Sequence, residues 1–91
     1  MHNLAALAQE QGELDEARRL YEQSLEIKQK LGNQNGIAIT LFHLGGLSEN
    51  EGNNDAAAEF FREALAIFER LRSPNADLAR ECLERVEGKS S

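Results

Sequence analysis

Apolar residues recur along this chain at helical intervals, in stripes separated by short polar breaks. Leu4, Leu7 and Ala8 share one helical face, and Gly12 follows as a stop, because glycine enters the left-handed region at little steric cost. Asp15 can cap a second helix by accepting from its free backbone amides. Ala17, Leu20, Tyr21, Ser24, Leu25, Ile27, Lys28 and Leu31 then keep i, i+3, i+4, i+7 spacing. Gly32-Asn33-Gln34-Asn35-Gly36 breaks the chain, with Asn35 placed to cap a helix over roughly Ile37–Glu51. Gly52-Asn53-Asn54 turns it again, and Asp55 opens a helix to about Arg72. Ser73 reads as a cap, with Pro74 in the first position of a last helix whose stripe is Leu78, Ala79, Cys82, Leu83 and Val86. Gly88-Lys89-Ser90-Ser91 reads as a frayed tail. The pattern predicts five helices.

The chain also repeats itself. A shift of 40 residues pairs Leu4 with Leu44, Leu7 with Leu47, Gly12 with Gly52 and Asp15 with Asp55. It also pairs Ala17 with Ala57, Leu25 with Leu65, Ile27 with Ile67 and Leu31 with Leu71, and sets Tyr21 against Phe61. The matches fall on apolar, small and capping positions, where packing would demand them. Two copies of one helical unit followed by a single helix are the expectation.

The residues of these copies resemble the tetratricopeptide repeat family over about residues 1–72. The second copy carries Leu41, Leu44-Gly45, Ser48, Gly52, Ala57, Phe61 and Ala64 at the family's positions, and the first carries Met1, Leu4-Ala5, Ala8, Gly12, Ala17, Tyr21 and Ser24. The chain departs from the common family pattern in its 40-residue period, in lacking a proline after each second helix and in having smaller residues in place of Trp and Tyr. Longer-period members look like closer relatives than the chaperone adaptors. Kinesin light chains and bacterial multi-repeat regulators are examples. The resemblance implies an all-α fold, a right-handed superhelical array of antiparallel helix hairpins. Repeat 1 would span about 1–34, repeat 2 about 35–73 and a closing helix about 74–87, forming one domain over 1–88 with a tail at 89–91. Met1 already stands at a core position of the first helix, which implies a piece of a longer array or a trimmed one.

Composition narrows the function. Ala, Leu, Glu, Gln and Arg favour helix, and 91 residues make one domain at most. A net charge of −6 repels phosphate backbones and anionic lipid, so neither nucleic acid nor a membrane is an expected partner. No stretch has the ~20 apolar residues of a membrane span. Cys82 is the single cysteine, which excludes an intrachain disulfide and points to a reducing, cytoplasmic setting.

No catalytic constellation stands out. Cys82 occupies an apolar stripe position without an activating neighbour, and Asp15 reads as a cap rather than half of an acid–base pair. Gly45-Gly46 falls in mid-helix and lacks the Lys-Ser/Thr of a phosphate loop. His2 and His43, with Glu10 or Glu49, lack the paired spacing of a zinc site. The expectation is no enzyme, no metal and no cofactor.

The family likeness implies a protein-binding scaffold, whose first helices line a concave groove for a peptide or helix of a partner. The first copy would contribute Asn3, Ala6, Gln9 and Glu10, and the second Phe42, His43, Gly46, Glu49 and Asn50, with Arg80, Glu84 and Glu87 continuing the face. Phe42 is the favoured contact, since Leu41 and Leu44 already supply core. The positions matching the chaperone adaptors' carboxylate clamp are His2, Ala6, His43, Asp77 and Glu81, which cannot form one. An acidic groove would favour a basic or apolar partner. The alternative is self-assembly, with exposed end helices stacking between copies into a homo-oligomer.

Overall fold

The computed structural model describes residues 4–90, with side chains described from 13 to 88. Four helices follow one another: α1 (Leu4–Leu31), α2 (Gln34–Asn50), α3 (Asn54–Arg70) and α4 (Asn75–Ser90). Packing runs α1 on α2, α2 on α3 and α3 on α4, the neighbour-on-neighbour plan of a helical repeat. The all-α hairpin array expected from the sequence is the fold found.

The three turns are built alike. At the end of α1, Gly32 takes φ 71°, its N–H reaches the Gln29 carbonyl at 3.2 Å, and the Asn33 N–H reaches Lys28 at 3.0 Å. At the end of α2, Gly52 takes φ 82°, with Gly52 donating to Glu49 at 3.0 Å and Asn53 to Ser48 at 2.9 Å. At the end of α3, Arg72 takes φ 57°, with Arg72 donating to Glu69 at 3.1 Å and Ser73 to Phe68 at 2.9 Å. Each is a Schellman stop, in which a left-handed residue lets two amides close the last carbonyls of the helix. The next residue caps the following helix. Asn33 Oδ1 accepts from the Gly36 N–H at 3.0 Å, Asn53 Oδ1 from Ala56 at 3.2 Å and Ser73 Oγ from Asn75 at 3.1 Å. The caps of α2 and α3 are therefore Asn33 and Asn53, not Asn35 and Asp55. An Asx cap must sit directly after the left-handed residue to face the free amides. Asp55 instead lies in the first turn of α3, where its charge complements the helix dipole.

One predicted turn is not formed. Gly12 stands 20 residues before Gly32, as Gly32 does before Gly52, yet α1 runs through it unbroken for 28 residues. Among the described residues there are four helices rather than five, and Asp15 is a mid-helix residue rather than a cap. The residue after Gly12 supplies a reason: Glu13 occupies the place that Asn33, Asn53 and Ser73 hold in the other turns. Its longer side chain is poorly placed to cap nearby amides as Asn and Ser do. A glycine inside a helix costs only about 1 kcal/mol, so an uncapped stop yields to continuous helix. At the other end, α4 continues through Gly88 to Ser90, beyond the expected end near residue 87.

The core lies around α3. Ile37, Ala38, Leu41, Ala64, Phe68, Ala76 and Ala79 form one buried cluster, and Ala57, Ala58, Phe61, Cys82, Leu83 and Val86 form another. Alanine at 57 and 64 and glycine at 45 bring α2 close enough for the Phe61 ring to lie directly against the Gly45 backbone. Cys82 is buried among apolar neighbours, as its stripe position implied. On α1, by contrast, Leu20, Ile27 and Leu31 stay 55%, 57% and 75% exposed.

Candidate functional site

Five of the predicted groove residues lie together on α2. Phe42, Gly46 and Glu49 are partly buried, and His43 and Asn50 are exposed. They stand at i, i+1, i+4, i+7 and i+8, the residues of one helical face and its edge. Two depressions open along that face. One, of about 210 Å³, is lined by Ile39, Phe42, His43, Phe68, Asn75 and Leu78. It is an apolar notch between α2, the end of α3 and the start of α4, with His43 and Asn75 as its polar lining. The second, of about 390 Å³, opens between α1, α2 and α4, where Tyr21, Gly46, Asn50, Cys82 and Arg85 are among its lining residues.

Phe42 joins the two. Its ring lies 5.5 Å from Phe61 and packs against both core clusters, so it is a wall of the groove anchored from behind. It therefore serves packing as well as lining, where the sequence pointed only to a contact residue. His43 is held too: its ring stacks on Tyr21 with centroids 5.2 Å apart and planes 10° apart. Gly46 leaves open space above the backbone, with nothing within 4 Å of a Cβ placed there. Such a gap admits a partner's side chain or main chain.

Charge on this face is largely neutralised from within. Arg85 of α4 grips Glu49 with two bonds, of 2.8 and 2.7 Å. The hydrogen bonds to Glu49, and its charge, raise the Arg85 guanidinium pKa above its ordinary value, so Arg85 stays charged. Arg80 bonds Glu69 at 2.6 Å and Asp77 at 2.9 Å, and Glu87 takes Arg62 at 3.1 Å, which turns both toward α3.

The other predicted residues belong to α1. Asn3 lies outside the described residues. Ala6, Gln9 and Glu10 are on the helical backbone, but their side chains lie outside the described ones. Sequence reasoning did not assign Tyr21, Phe68, Leu78 or Arg85 to this face. The 40-residue shift marked Tyr21 as the counterpart of Phe61, and thus as core. Its partner in space, His43, was not readable from either helix alone.

Residues 1–70 match the family model described as tetratricopeptide repeat. Among curated proteins, the chain is similar to the "Clustered mitochondria protein homolog" of Meyerozyma guilliermondii, 29% identical over 86 residues. That alignment covers 92% of this chain and 7% of the relative's length. No solved structure matches.

Proposed function

Because this chain belongs to the tetratricopeptide repeat family, whose repeats mediate contacts between proteins and are not enzymes, we propose that it is a protein–protein interaction scaffold. It holds a peptide or helix of a partner in the groove along α2. The observation that supports this is the juxtaposition of an apolar notch with open glycine. Ile39, Phe42, Phe68 and Leu78 offer a largely apolar socket for one or two apolar side chains, and Gly46 leaves room for the segment that carries them. With Glu49 held by Arg85, apolar anchoring outweighs charge, so of the two partner chemistries the apolar one is preferred. Ala6, Gln9 and Glu10, with Asn3, would extend the groove wherever the first helix of repeat 1 lies beside α2. The chain carries out no catalysis in this reading and needs no metal or cofactor, and the lone buried Cys82 suits the cytoplasm.

The test is selection from a displayed peptide library, followed by amide chemical-shift mapping. Peptides with apolar anchors should shift Phe42, His43, Gly46 and Leu78. Phe42→Ala and Gly46→Gln, the second of which fills the gap without touching the core, should each weaken them at least tenfold. Selected peptides indifferent to both changes would sink this reading.

A second reading is self-assembly through the helix ends. It draws on the Leu20, Ile27 and Leu31 ridge of α1, whose exposure is large for aliphatic side chains. No helix among the described residues is long and apolar enough to cross a membrane, so a bilayer does not claim that ridge by spanning.

A further inference from the structure

The two copies of the repeat differ in what covers their second helix. In the second copy, Ala57, Phe61 and Ala64 are 0–1% exposed. Phe61 is enclosed from two sides: Gly45 of the preceding helix lies against its ring, and Cys82 and Leu83 of the following helix complete its cluster. In the first copy the matching residues Ala17, Tyr21 and Ser24 are all only partly buried. Tyr21 has its following-helix neighbour, His43, which is the counterpart of Leu83. Its preceding-helix neighbour would be Ala5, the counterpart of Gly45, but α1 has not folded back to deliver it. A depression of about 540 Å³ lined by Glu13, Leu14, Ala17 and Asn50 opens at this end, and Ala17 and Tyr21 also line the one described above. Arg18 bonds Glu51 just after α2, and α1 is one continuous helix from Leu4 through Arg18 to Leu31.

We infer that this slot on α1 and α2 is filled by residues 4–11 of a second copy of the chain, in a reciprocal helix exchange hinged at Gly12-Glu13. The duplication identifies the occupant. Residues 4–11 correspond to 44–51, where Leu44, Gly45, Leu47 and Ser48 are all buried and Gly45 lies against Phe61 of α3. The segment therefore carries Leu4, Ala5, Leu7 and Ala8 to the same sites beside Ala17 and Tyr21. A continuous α1 keeps the segment from folding back into its own chain's slot and leaves it for another's. Exchange through an opened hinge then buries both segments with contacts the closed repeat already specifies. The hinge opens because Glu13 leaves the Gly12 stop uncapped. A partner peptide would use the α2–α4 side of the groove and the exchanged segment the α1 side, so the two occupants are separable.

Light scattering and far-ultraviolet circular dichroism on the whole chain and three variants provide the test. The unaltered chain should have twice its 10.1 kDa chain mass at tens of micromolar. Glu13→Asn restores the cap found at Asn33 and Asn53, closes the hairpin and should halve the mass while keeping helicity. Leu7→Glu removes the occupant's counterpart of buried Leu47 and should also halve it. Ile27→Glu, on the exposed ridge, should leave it doubled. An unaltered chain of monomer mass over a hundredfold concentration range would overturn the exchange, whether the segment folds back or docks nowhere. So would a dimer that survives Leu7→Glu or Glu13→Asn, or one that dissolves with Ile27→Glu alone.

Discussion

Gly45 and Phe61 are so closely packed that a Cβ on Gly45 would lie 2.7 Å from the Phe61 ring, whereas Gly46, one residue on, has nothing within 4 Å of its own. Alanine is the better helix former by about 1 kcal/mol at either position. At 45 that gain meets overpacking of a ring that is 1% exposed and has nowhere to move, a cost of about 1–3 kcal/mol. Gly45→Ala should therefore lose on the order of 1 kcal/mol, and Gly46→Ala should gain on the order of 0.5–1 kcal/mol. Urea denaturation of the pair should move their midpoints in opposite directions, and movement the same way would contradict the packing described.

Ser48 is buried with its hydroxyl lacking a hydrogen-bond partner among the described residues, and the first copy has Ala8 at this position. An unpartnered buried hydroxyl costs about 1–3 kcal/mol. Ser48→Ala should raise stability by about 1 kcal/mol, or the melting temperature by roughly 4–8 °C for a domain of this size. No change on calorimetry would mean the hydroxyl is satisfied.

Arg72 sits at φ 57° where the two matching turns have glycine. A left-handed non-glycine residue costs roughly 1–2 kcal/mol, partly offset by the freedom glycine adds to the unfolded chain. Arg72→Gly should stabilise by about 0.5 kcal/mol in thermal melts, while Gly52→Ala should destabilise by a larger amount.

The Glu49–Arg85 pair joins α2 to α4, with Arg85 about half exposed. Exposed pairs contribute about 0.2–1 kcal/mol and weaken with salt. A double-mutant cycle with Glu49→Gln and Arg85→Ala should give a coupling in that range, shrinking between low and molar salt. A coupling several times larger and indifferent to salt would make the pair a structural lock rather than a charge-neutralising clasp.

Much of this architecture was legible in the order of residues. Turns at 32, 52 and 72 follow from Gly-Asn, Gly-Asn and Ser-Pro signals set between stripes of helical period, because Schellman stops and caps depend on a few adjacent residues. The kinship of Tyr21 with Phe61, and of Ala17 with Ala57, came from the internal shift alone, and the repeat family from the small, apolar and aromatic residues at its motif positions.

What the sequence left open was decided by neighbours in space. Gly12 can stop a helix or pass through one, and the local balance of a missing cap against about 1 kcal/mol of glycine cost is too close for its own surroundings to choose. The outcome depends on what lies beside Ala17 and Tyr21. Likewise His43 became a stacked ring, and Glu49 a neutralised carboxylate, only when α1 and α4 came alongside α2. Helical period specifies the elements of this protein, and packing between helices far apart in sequence decides which faces remain free to bind.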